Sequence, residues 1–309
     1  MAMAMTTVVA TNIFFDMVDQ RCVTCFLKTF KRLFQKFSVD ETQQKVFIDF
    51  FNQTIESDTT GFTPLIQRHL NKTFCRILSI TDPFSEEKEE SNQVVLELYD
   101  QWKPRVIDSD DPFRLALRLA IAGNIMDYGA STSFDIHKTI DRVISSKFAI
   151  DQSEQLRAKL QNASKVLYLG DNAGEIVFDK LFIEIIKHEN IKFVVKGAPV
   201  LNDVTIDDAV QVGMHYAADV ISNGYDAPST ILSCCSSEFF QEYNSADLII
   251  SKGQGNLEGL LSESDPRIFF LLMVKCDLVA EILGVKKGDF VVYNKQYQEN
   301  QTNNVPWKK

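Results

Sequence analysis

Beyond residue 164 the chain alternates short strand-like runs with helical stretches, and this alternation constrains the fold more than any other feature. VLYL (166–169), KFVV (192–195), DVIS (219–222) and DLIIS (247–251) are too short for helices and rich in residues that favour a pleated, buried surface. Helical patterns follow from about Glu175 to His188, from near Thr205, and around Thr230 to Tyr243. RIFFLLMV and DFVVYN read as further buried strands. Strand and helix in alternation build a mostly parallel sheet with right-handed crossovers, covered by helices on both faces.

The chain ahead of this region is helical in pattern. FLKTFKRLFQKF places Phe26, Phe30, Leu33, Phe34 and Phe37 at three- and four-residue spacing with basic residues between them. Asp82 with Pro83, and Asp111 with Pro112, read as two further helix starts. Leu115 to Ile125 is almost continuously apolar and suits the core of this half. The expected division is a helical region over 1–163, an α/β domain over 164–295 and a polar tail over 296–309.

A net charge of −10 provides no broad basic footprint, which argues against nucleic acid or an anionic membrane surface as partner. No run approaches the ~20 apolar residues of a membrane span. The opening MAMAMTTVVATNIFF lacks a basic leading segment, and the six cysteines are too scattered for a secreted disulfide framework, so a cytoplasmic protein is expected.

In an open parallel sheet, ligands bind beyond the carboxyl ends of the strands. VLYL is followed by Gly170, Asp171 and Asn172, and KFVV by Lys196, Gly197, Asn202 and Asp203. DVIS leads to Asn223 and Gly224, and DLIIS to Lys252, Gly253, Gln254, Gly255 and Asn256. Taken singly, Asp171 and Asp203 are equally readable as helix caps, and each lysine as a solvated strand end. Taken together they describe a polar pocket. Asp171, Asn172 and Asp203 suit a hard divalent cation, magnesium or manganese rather than zinc, because these loops carry neither histidine nor cysteine. Lys196 and Lys252, with the backbone N–H groups flanking Gln254, suit an anion such as phosphate.

GDNAGEIVFDK, KGAPVLNDVTIDDA and SKGQGNLE, preceded by DPFSEEKEESN, DPFRLALRLAIAGNIMDYG and CVTC, resemble the DUF89 family of damage-control phosphatases. The resemblance is to its stand-alone branch with an N-terminal CxxC, and runs from about Cys22 to Val291. It implies a helical N-terminal region followed by a Rossmann-like three-layer α/β/α domain. It also implies metal-dependent hydrolysis of small phosphorylated metabolites, such as damaged or side-product sugar phosphates, supported by manganese, cobalt, nickel or magnesium. On this resemblance the metal ligands fall on Asp171, Asn172 and Asp203, and the family's lysine on Lys252. Lys196, Lys252, Gly253, Asn256 and Asn202 would then line the phosphate site. Asn124 and Asp127 either line the pocket from the helical side or fix a buried helix end.

Cys22 and Cys25 match the CxxC pattern of that branch, and Cys276 lies in an apolar segment able to approach them. Buried structural thiols, a disulfide and a soft-metal site all remain open for these three, whereas Cys234 and Cys235 suit packing. Two rival functions stand beside the phosphatase. An S-adenosylmethionine-dependent carboxyl methyltransferase would need a glycine pattern that GDNAG does not supply. A non-catalytic metabolite-binding module would keep the pocket without turnover. For the phosphatase, direct attack by water is favoured over an aspartyl-phosphate on Asp171, because Ala173 stands two residues on, where an acid/base carboxylate would be needed.

Overall fold

The structure, a computed structural model, describes residues 18–123 and 136–298. Helices α1 (Gln20–Lys36), α2 (Glu41–Ser57) and α3 (Thr63–Leu78) come first, then α4 (Ser85–Ile107), α5 (Pro112–Gly123) and α6 (Ile136–Ser145). The α/β part runs β1 (Ile150–Asp151), α7 (Ser153–Asn162), β2 (Val166–Leu169), α8 (Glu175–Ile186), β3 (Ile191–Val195), α9 (Ile206–Gln211) and β4 (Asp219–Ser222). It continues with α10 (Ser237–Ser245), β5 (Leu248–Lys252), α11 (Gly253–Leu260), β6 (Ile268–Met273), α12 (Asp277–Leu283) and β7 (Phe290–Tyr293).

The strands form one sheet in the order β1-β7-β6-β5-β2-β3-β4, parallel throughout except where β6 meets β7. The α/β class expected from the alternation is the one found. Both faces are covered, which explains the continuous apolar strands. Val166, Tyr168, Leu248 and Ile250 face a core shared with α4, α5 and α8. Leu167, Leu169, Val194 and Ile249 face the opposite core, shared with α10, α11 and α12. Chain order reverses at β2, which lies between β3 and β5, so the crevice beyond its carboxyl end is the predicted ligand position.

Helices α1 to α3 enclose a separate phenylalanine-rich core around Phe26, Phe30, Phe34, Phe47, Phe51 and Phe74. The Phe30 and Phe47 rings lie 4.6 Å apart. Thr63 Oγ1 ties this lobe to Glu258 of α11 at 2.9 Å, and Arg68 Nε to Asp226 beyond β4 at 2.5 Å. It therefore flanks the carboxyl edge of the sheet.

Three elements differ from expectation. The sheet takes in Ile150–Asp151, upstream of the boundary expected near 164. The helix expected from Thr230 begins only at Ser237, where the Ser236 hydroxyl accepts from Phe239 N and caps it. β7 runs antiparallel to β6. Among the described residues no helix is long and apolar enough to cross a membrane.

Candidate active site

Neither acid expected at the site caps the helix that follows it. α8 begins behind Gly174, whose φ of +76° makes the turn, with no side-chain bond at that cap. α9 is capped by Thr205 and Asp208 through a reciprocal capping box. Asp171 and Asp203 are thus not the caps of the helices that follow them.

The loops carrying these acids are bonded directly to each other. Val204 N donates to Asp171 O at 2.8 Å and Ala173 N to Asn202 O at 2.9 Å, making an antiparallel bridge between Asn172 and Asp203. Asn172 Nδ2 donates to Asp171 Oδ2 at 2.7 Å. All three side chains are buried. Asp203 Oδ2 has no hydrogen-bond partner and lies 3.4 Å from Lys196 Nζ. Burial pushes the Asp203 carboxyl up to about 7, Lys196 opposing the rise and the Asp171 charge adding to it.

These residues fit a divalent cation. A buried carboxylate oxygen without a donor is costly unless something positive meets it, and the Asp171–Asn172 pair supplies further oxygen atoms on the facing loop. Among the described residues no three His, Cys, Asp or Glu side chains gather into a metal-binding set. A cation here would depend on the amide of Asn172 as a ligand, which favours a hard ion over zinc.

Lys196 is 3% exposed and donates to Asn256 Oδ1 at 3.0 Å. Asn256 Oδ1 also accepts from Thr230 Oγ1 at 2.9 Å, and its Nδ2 donates to Gly170 O and Lys252 O at 3.0 and 2.9 Å. The structure therefore places Asn256 as the support of Lys196, with both amide hydrogens already engaged. Asn202 contributes the backbone bond to Ala173. Gly253 adopts a φ of +75°, and a Cβ there would fall 1.9 Å from Asp171 Oδ2. Its lack of a side chain is what lets β5 close on the Asp171 carboxylate.

Lys252 lies elsewhere than the expected phosphate site. It is fully buried, and its Nζ donates to Ala120 O at 2.9 Å, to Asp179 Oδ1 at 2.5 Å and to Glu175 Oε1. Tyr168 Oη donates to the same Asp179 oxygen at 2.7 Å. Burial pushes Glu175 up to about 8, with Lys252 pulling against it. All three ammonium hydrogens are engaged inside the protein. The reason is strand alternation: Lys252 shares its face with Leu248 and Ile250, toward α5 and α8, whereas Lys196 shares the face of Val194.

Asn124 and Asp127 lie outside the described residues. Cys22, Cys25 and Cys276 are not joined in disulfides. Burial pushes Cys22 up to about 12, and Gln254 Nε2 sits 3.3 Å from Cys276 Sγ. Sequence reasoning missed Glu175, Asp179, Lys88 and Asn92 as partners of the site. The signal for the first two was present: Glu175 and Asp179 stand one helical turn apart among Ile176, Val177, Phe178, Leu181 and Phe182, so acids on this apolar face require a buried cation.

Residues 18–291 match the damage-control phosphatase ARMT1-like domain. A damage-control phosphatase of Pyrococcus horikoshii is 32% identical over 91% of this chain and 99% of its own. One of Archaeoglobus fulgidus is 36% identical over 72% of this chain and 79% of its own. The crystal structure of a DUF89 family protein from Pyrococcus horikoshii superposes with a TM-score of 0.82 at 30% identity, covering 90% of this chain and 98% of that one.

Proposed function

The chain belongs to the family of damage-control phosphatases with an ARMT1-like domain, and we propose that Asp171, Asn172, Asp203 and Lys196 form its catalytic site. The enzyme is a phosphatase; its proposed substrates are small phosphorylated metabolites, sugar phosphates or related side-product monoesters. One observation carries the assignment of the site. The buried Asp203 oxygen has no hydrogen-bond partner, only the Lys196 ammonium 3.4 Å away, and its loop is bridged to an Asp-Asn pair at the point where strand order reverses.

Asp171, Asn172 and Asp203 would hold a divalent cation, manganese, cobalt, nickel or magnesium, which supplies charge neutralisation at a phosphoryl oxygen and acidifies water. Lys196, held by Asn256, brings a positive charge to the same edge and offsets the negative charge of the phosphoryl group. Water attacks phosphorus and gives up a proton to solvent as the bond to the substrate's ester oxygen breaks; that oxygen takes a proton from solvent and leaves as the alcohol, with inorganic phosphate as the other product. Asp171 serves as ligand rather than nucleophile, since Ala173 offers no acid for the leaving oxygen. Lys252 acts from beneath, tying β5 to α8 and so setting the backbone of Gly253 against Asp171.

The test is phosphate release from phosphorylated metabolites and p-nitrophenyl phosphate after chelation and add-back of each metal. Activity restored by a divalent ion and lost in Asp171→Ala is the expected result. A folded wild-type protein that is silent with every metal would overturn the assignment.

A further inference from the structure

Helix α4 reaches both ligand-bearing loops with two side chains one turn apart. Asn92 is fully buried, and its Oδ1 accepts from Gly174 N at 2.7 Å, two residues beyond Asn172. Its Nδ2 donates to Gln211 Oε1 at 2.7 Å and, more weakly, toward Asp208 Oδ1 at 3.4 Å. On the same face, Lys88 Nζ lies 2.8 Å from Asp208 Oδ2 and 3.2 Å from Asp82 Oδ2. Asp208 Oδ2 accepts from Thr205 N and Thr205 Oγ1 at 2.8 and 2.7 Å, two residues beyond Asp203.

One helix therefore holds the far end of the Asp171–Asn172 turn through Asn92, and the far end of the Asp203 loop through Lys88 and Asp208. The bridge between Asn172 and Asp203 joins these loops on the near side. Neither Lys88 nor Asn92 approaches through a sheet element, and neither is a metal ligand in the proposed set. Their bonds to Gly174 and Asp208 constrain where the ligand loops stand relative to one another.

We infer that Lys88 and Asn92 are positioning residues that set the spacing of the two ligand loops, making α4 part of the cation site rather than a cover over it. This rests on the reading that Asp171, Asn172 and Asp203 hold a divalent cation. Groups behind metal ligands orient them, and their loss commonly weakens metal affinity ten- to a hundred-fold.

The test is titration of Mn²⁺ into the metal-stripped full chain by calorimetry, with thermal unfolding measured alongside. Asn92→Ala is expected to weaken Mn²⁺ binding by about ten- to a hundred-fold. Asn294→Ala is the control: it removes an equally buried amide at the opposite edge of the sheet, bonded to Pro266 O and Ile268 O. That variant should lose thermal stability yet keep wild-type Mn²⁺ affinity. Gln211→Ala, on an exposed residue, should fold in any case and weaken binding about two- to five-fold by loosening Asn92. If Asn92→Ala does not fold, Gln211→Ala decides. Wild-type Mn²⁺ affinity in Asn92→Ala, or in Gln211→Ala should Asn92→Ala not fold, would overturn the inference, as would equal losses in Asn92→Ala and Asn294→Ala. A wild-type chain that binds no divalent cation is a different result, and removes the metal reading itself.

Discussion

Two clusters of acids and lysine lie one strand apart and behave differently. At the carboxyl edge of β2 and β3, Lys196 faces Asp203, whose loop is bridged to the Asp171–Asn172 pair. Beneath β5, Lys252 joins Glu175 and Asp179 between the sheet and α8, with every ammonium hydrogen engaged. Burial raises Asp203 in the first and Asp179 in the second, and each of these two retains an oxygen without a hydrogen-bond partner. The difference lies in the cation. Lys252 is committed to both acids of its cluster, while Lys196 divides itself between Asn256 and a more distant Asp203. A closed ion cluster holds elements together; an open one at a strand edge leaves charge for a ligand to meet.

The sharpest way to break this comparison is to remove each lysine. Lys252→Met strands two buried carboxyls and should cost about 3–5 kcal/mol of stability, read from urea unfolding. Native-like stability in that variant would mean the cluster is not structural. Lys196→Met should instead lower phosphate release by on the order of 10²-fold at a smaller cost in stability, measured as initial rates on a common substrate. Should it unfold the protein as Lys252→Met does, the two clusters are alike after all.

Gly253→Ala probes the seam between the clusters. The added methyl meets the Asp171 carboxylate at a positive φ, so a stability loss of about 1–3 kcal/mol with a marked fall in activity is expected. An active, stable Gly253→Ala would show that β5 need not press on Asp171. A last test concerns pH. Glu175 is raised in the folded state from 4.5 to about 8, so the unfolded chain loses this proton first and folding loses stability as pH rises between those values. Relative to Glu175→Gln, the wild-type urea midpoint should therefore fall from about pH 5 to about pH 8. A constant gap would place Glu175 among unperturbed acids.

Much of this architecture was readable in advance because both faces of the sheet are buried. VLYL, KFVV and DLIIS stand out as continuous apolar runs, and the strand-end rule gathered Asp171, Asn172, Lys196 and Asp203. Ile150–Asp151 was invisible, since two residues carry no period, and the antiparallel pairing of β7 leaves no local mark. Lys252 was assigned to phosphate for a related reason. When both faces are apolar, alternation along a strand does not say which face is which, so two lysines at equivalent strand ends can enter opposite layers.

Composition, period and turn residues thus determined the α/β class, the strands and the loops that meet at the site, because these depend on neighbours a few positions away. Tertiary structure alone decided that Asp171 and Asp203 do not cap α8 and α9, that Lys252 closes a buried cluster, and that Asn92 and Lys88 reach the ligand loops from α4. Those outcomes turn on contacts between residues up to 132 positions apart in sequence, as for Lys252 and Ala120. Only the packed sheet and helices bring such groups within hydrogen-bonding distance.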